Sequence, residues 1–83
     1  MKSKEKNIRI LVSSDPDYKD LIAEIEFEGE FFCLVSQDKG IDALEIQIAP
    51  RKDGTPWNIS EADLFLMLDM AKKRLWELRK VGM

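Results

Sequence analysis

Carboxylates are the residues of this chain best placed to do chemistry. Seven of them fall between residues 15 and 30, where Lys19 is the only base. Two carboxylates a few ångströms apart can divide acid and base roles, as in glycoside hydrolysis. Clustered acids can also hold Ca²⁺. Neither set is complete here. Glycosidic chemistry needs a cleft around its pair, and a single small sheet-and-helix layer rarely makes one. Asp15-Pro16-Asp17 lacks the ligand spacing and the glycine of an EF-hand loop. The chain has no His, which removes the commonest general base and the usual transition-metal ligand together. Cys33 is the single thiol. It has no His to activate it, and it stands in an apolar strand pattern, which favours an inert, packed side chain. No glycine-rich phosphate loop is present. The reading is of a non-enzyme with no catalytic residue, cofactor or metal.

Composition agrees with that reading. The 83 residues are 45% apolar and 35% charged, with a net charge of −3. This is one domain, 1–83, near the lower size limit for a core without staples. An acidic chain of this kind is a poor match to nucleic acid, whose phosphates demand clustered Lys and Arg. One Cys fits a reducing compartment, and no apolar run has the length of a membrane span. The expected place is the cytoplasm. Residues 1–7 read as a charged, disordered lead.

The elements that must position the carboxylates follow from periodicity. Residues 8–12 form a short apolar run ended by Ser13, Ser14, Asp15 and Pro16. Residues 21–27 alternate with period two, the signature of a strand with one buried and one wet face. Leu21, Ala23, Ile25 and Phe27 make one face. Ile22, Glu24, Glu26 and the flanking acids make the other. Glu28-Gly29 then supplies a tight hairpin, and residues 30–36 form a third strand. A two-residue turn pairs Phe27 with Glu30, Ile25 with Phe32 and Ala23 with Leu34. That register sends Phe32 and Leu34 to the core. It leaves Phe31, Cys33 and Val35 beside Glu24 and Glu26. Residues 44–48 alternate again as a fourth strand, and residues 50–58 read as a loop.

From Ser60 the period becomes helical. Ser60 with Asp63 is a variant capping box. Leu64, Leu68, Ala71, Leu75 and Leu78 fall on one stripe, with Met67 at its edge. Basic residues gather at the helix end, where the helix dipole favours them, so they need no nucleic acid partner. The fold class is α+β: an antiparallel four-stranded β-meander packed against one long C-terminal α-helix. The expected core joins Ile25, Phe32, Leu34, Ile46, Leu64, Leu68, Ala71 and Leu75. Phe65 and Trp76 are expected to wrap the sheet edge. Leu66 and Met70 lie opposite the core stripe.

The arrangement suits binding to another protein. Glu24, Glu26, Phe31 and Glu45 are expected to share one exposed sheet face, an aromatic among acids. Such a face attracts and selects basic partners. Trp57, in a Pro-containing loop, is either a lid on the core or a further anchor for a partner. The partner-binding set is therefore Glu24, Glu26, Phe31, Glu45 and Trp57.

Tyr18 and the stretch Leu21-Ile22-Ala23-Glu24-Ile25, then Phe31-Phe32-Cys33-Leu34-Val35-Ser36-Gln37, then Leu44-Glu45-Ile46-Gln47-Ile48-Ala49-Pro50, followed by a helix from Ser60 to Leu78, resemble a pattern in small bacterial proteins. They are similar to immunity proteins encoded beside contact-dependent growth inhibition and related polymorphic toxins. The resemblance covers roughly residues 8–78. It implies an antitoxin that blocks a cognate toxin domain, such as a nuclease, by occluding its basic site, with no catalytic residues of its own. The alternative is a small interaction or regulatory subunit, including a homodimer through the sheet edge or through Leu66 and Met70. A toxin gene directly upstream would separate the two.

Overall fold

The computed structural model describes the backbone of residues 7–81 and the side chains of residues 7–78. Most of the lead predicted for residues 1–7 lies outside that range. Asn7 is described and is tied down: its carbonyl accepts the Glu28 N–H at 2.8 Å.

Four strands follow in order, β1 (Ile8–Ser13), β2 (Ile22–Phe27), β3 (Glu30–Ser36) and β4 (Glu45–Ile48), and then one helix, α1 (Glu61–Val81). They form a single sheet in the order β1-β2-β3-β4, with every neighbouring pair antiparallel. This is the expected meander on one C-terminal helix. The loop of residues 50–58 contains no strand.

The β2–β3 hairpin turns on Glu28 and Gly29, with φ of 55° and 81°. Two consecutive positive φ values match the right-handed twist of the strands it joins. Gly29 takes its value freely, whereas Glu28 carries a side chain into the left-handed region.

The register expected for β3 holds only at the turn. Phe27 faces Glu30 and Glu26 faces Phe31, but Ile25 then faces Cys33 rather than Phe32. Phe32 is the extra residue of a bulge. Beyond it the faces change over. Cys33 and Val35 are fully buried in the core. Leu34 stands opposite Glu24 on the other face. The expectation that Leu34 is core and that Cys33 and Val35 lie beside the glutamates is therefore corrected. The reason is visible in the run Phe31-Phe32-Cys33-Leu34-Val35. With no polar residue to mark alternation, nothing in it opposes a one-residue slip. The bulge keeps Phe32 in the core as well, at 3% exposure. Its ring meets Trp57 edge-on, with centroids 4.9 Å apart.

Ser60 caps α1: its Oγ accepts the Asp63 N–H at 3.0 Å, satisfying an otherwise orphaned donor. The helix lies over β1 and β2. Its buried stripe is Met67, Ala71 and Leu75, with Leu64 and Leu68 half-buried beside them. Met67, expected at the stripe's edge, is fully buried. Phe65 and Trp76 are 61% and 48% exposed, so they do not wrap the sheet. Met70 is half-buried and lines a groove with Ile8 and Ile10, while Leu66 stays exposed.

Ile46, expected in the core, is 39% exposed. It points to the helix side of the sheet, opposite Val35, but α1 covers the other half. One helix is about 10 Å across, whereas four strands at about 4.8 Å spacing are wider. The residual cover comes from the segments before and after β4, where Ile41 and Leu44 on one side and Trp57 on the other pack against the core. The Trp57 indole N–H donates to the Ala49 carbonyl at 2.7 Å, and the Arg51 guanidinium sits 5.3 Å from the Trp57 ring centre. Glu30 ties the loop after β4 to the β2–β3 turn by accepting the Lys52 N–H at 2.7 Å.

Candidate functional site

The face of the sheet away from α1 gathers side chains in rows, because paired residues of an antiparallel sheet share a face. One row is Arg9, Glu26 and Phe31. The next is Leu11, Glu24, Leu34 and Gln47. A third contains Ser36 and Glu45. Four of the sequence-predicted residues, Glu24, Glu26, Phe31 and Glu45, therefore stand on one face. Phe31 is 40% exposed and Leu11 37%. Trp57 does not join them: it is half-buried on the helix side, packed on Phe32. It is a lid on the core.

A groove of about 520 Å³ opens where this face meets the β4 edge, lined by Tyr18, by Leu34, Ser36, Glu45 and Gln47 from the face, and by Ile46, whose side chain lies on the helix side. Tyr18 comes from the β1–β2 connection. That connection is held by the carboxylate of Asp38, which accepts the backbone N–H of Lys19 at 3.0 Å and of Asp20 at 3.0 Å. These hydrogen bonds, that from Lys19 first, hold the Asp38 carboxyl below the usual aspartate range. Nearby, Gln37 is buried and its amide donates to the Leu21 carbonyl at 2.9 Å.

The charge of the face is milder than the acid-rich segment suggests. Arg9 lies 3.5 Å from Glu26. Lys39 lies 2.8 Å from Glu45, a contact that raises the lysine above its ordinary value. Glu24 alone of the three has no ion pair among the described residues. The acids also separate in space. Asp15, Asp17 and Asp20 precede β2, Glu28 and Glu30 follow it, and a six-residue strand keeps these ends about 20 Å apart. Some of these acids serve the fold. Asp15 accepts the Asp17 N–H at 2.8 Å in a local turn, and Glu30 meets Arg51 at 3.5 Å.

The face thus presents two exposed apolar groups, Leu11 and Phe31, with Leu34 half-buried between strands and carboxylates around them. Leu11, Leu34 and Tyr18 were absent from the predicted set. Leu11 was readable, being apolar at the wet position of an alternating strand. Leu34 reaches this face only through the bulge.

The remaining reactive groups lie elsewhere. Cys33 is fully buried on the helix side, and burial pushes its thiol up to about 11, so it stays protonated at neutral pH. Among the described residues no group of three or more His, Cys, Asp or Glu is placed to hold a metal ion. No described helix is long and apolar enough to cross a membrane. Compared with protein families, curated proteins and solved structures, the chain has no match.

Proposed function

We propose that this chain acts by binding, as a cytoplasmic immunity protein whose outer sheet face covers the basic site of a cognate toxin domain such as a nuclease. The observation that carries the reading is the pairing of exposed Leu11 and Phe31 with Glu24, Glu26 and Glu45 on one face. Aromatic and aliphatic anchors supply most of the affinity at protein interfaces, and the charges around them supply approach and selection. Arg9 and Lys39 already engage two of the carboxylates. Glu24 is then the acid most open to a partner's base, and Phe31 is the principal anchor. The strand pattern that resembles immunity proteins spans the same face.

The test is a binding titration against the toxin domain encoded directly upstream, beside a growth-protection assay. Phe31→Ala should raise the dissociation rate at least tenfold, an effect typical of a buried aromatic anchor. Glu24→Lys with Glu26→Lys should slow association, and added salt should slow that of the wild type. If both variants bind and protect like wild type, the outer face is a solvated surface and the reading fails.

A further inference from the structure

The backbone of β4 faces open solvent along one side. The Ala49 N–H donates to the Phe32 carbonyl at 2.8 Å, and Leu34 pairs with Gln47. In an antiparallel ladder the residues directed at a neighbour alternate with those directed away. Gln47 and Ala49 therefore point at β3, and the N–H and C=O groups of Ile46 and Ile48 point out of the sheet. No turn or loop backbone bond among the described residues reaches them. The side chains of the same two residues are 39% and 58% exposed, on the helix side but beyond α1. Neither Lys, Pro nor a bulge interrupts β4, so its edge is blunted only by its four-residue length and by Glu45 at its start.

We propose that β4 pairs with β4 of a second copy of this chain, antiparallel, about a two-fold axis through Gln47. Ile46 then stands opposite Ile48 of the partner subunit, and the reverse. The outward N–H and C=O groups of both residues pair across the axis. The isoleucines meet side by side on the helix face, as cross-strand aliphatic pairs do. Gln47 faces its own copy. Glu45 stands opposite Ala49 of the partner subunit, and Lys39 already neutralises it at 2.8 Å, so no like charges oppose each other.

The length of the edge favours this occupant over a longer strand. The next outward position after Ile48 is Pro50, which has no N–H to offer. Before Leu44 the chain bends away through residues 41–43. The available ladder is as short as β4 itself. The opposite edge makes a worse site. At β1 the outward residues are Ile8, Ile10 and Val12, by the same alternation from the Asn7–Glu28 bond. Their side chains already pack against the core, so pairing there buries little more apolar surface. So short a ladder falls below the roughly 800 Å² per partner of stable interfaces. The dimer is accordingly weak and forms as concentration rises.

Gln47→Cys tests the axis directly. Facing residues of a non-hydrogen-bonded antiparallel pair have Cα atoms about 4.5 Å apart, within the span of a disulfide. The buried Cys33 stays out of the reaction. Under mild oxidation, Gln47→Cys should form covalent dimer at least tenfold faster than Glu45→Cys or Lys52→Cys. Adding Ile48→Lys should suppress that cross-link while leaving the circular dichroism spectrum unchanged, and sedimentation of the wild type should show a concentration-dependent dimer. Cross-linking of Gln47→Cys no faster than Lys52→Cys, or a monomer at millimolar concentration, overturns the proposal. Faster cross-linking at Glu45→Cys overturns the register. Ile48→Lys leaves Phe31 and Glu24 untouched, so it should still bind the toxin domain, and the two readings fail separately.

Discussion

β1 and β4 are the two edges of one sheet and share one pattern, yet they differ in what happens to their apolar side. Ile8, Ile10 and Val12 alternate with Arg9 and Leu11 just as Ile46 and Ile48 alternate with Glu45 and Gln47. On β1 the three aliphatic side chains are half-buried in the core. On β4 both are exposed. The difference comes from the single helix, which lies over β1 and β2. Alternation states which side of a sheet a residue faces. It does not state whether anything covers that side, because cover depends on where a distant helix lands.

The largest effect should come from β3, one of the two strands between those edges, where the bulge decides which residues belong to the covered side. Val35→Asp places a carboxylate among fully buried apolar groups. Without a partner there, it should cost several kcal/mol and unfold much of so small a domain. Leu34→Asp, one residue away on the half-buried outer face, should leave the protein folded. Far-ultraviolet circular dichroism with urea denaturation reads both. A folded Val35→Asp beside an unfolded Leu34→Asp would restore the unbulged register.

That contrast also marks where the fold was legible. Strand order, the Glu28-Gly29 turn and the Ser60 cap each rest on a local signal, and each stands where the sequence places it. Glu24, Glu26 and Glu45 were legible because acids alternating with aliphatics have one wet parity. The slip after Phe31 was not, since five consecutive apolar residues (counting Cys33) carry no parity. Nor was the milder charge of the face. Arg9 and Lys39 reach Glu26 and Glu45 only after the sheet brings distant segments together.

A smaller effect compares helix-covered and uncovered positions directly. Met67 is fully buried over β1 and β2, whereas Ile48 is 58% exposed. Met67→Ala should cost about 2–5 kcal/mol, the range for emptying a core site. Ile48→Ala in the monomer should stay within about 1 kcal/mol, because most of its side chain has little packing to lose. Urea midpoints at low protein concentration make the comparison. Equal losses would mean that β4 is covered in solution.

The smallest effect concerns the tie between the two halves. Asp38, in the connection leading to β4, accepts hydrogen bonds from the Lys19 and Asp20 N–H groups leading into β2. Those bonds favour the carboxylate, so its folded pKa lies below the ordinary value of 3.8. The unfolded chain therefore binds the proton more readily than the folded one. Asp38 contributes stability that is full above the ordinary aspartate range and is lost as pH falls through the lowered folded value. Asp53 shifts in the same direction, chiefly through the Thr55 hydroxyl, so Asp38 accounts for part of the acid loss only. Asp38→Ala should lower the urea midpoint at neutral pH. The gap from wild type should narrow in acid, once the wild-type carboxyl is protonated. A gap of the same size at both pH values would mean that the side chain matters by its shape rather than its charge. The tie between the β1–β2 connection and the β4 half would then be steric, and the two halves would be coupled at all pH values alike.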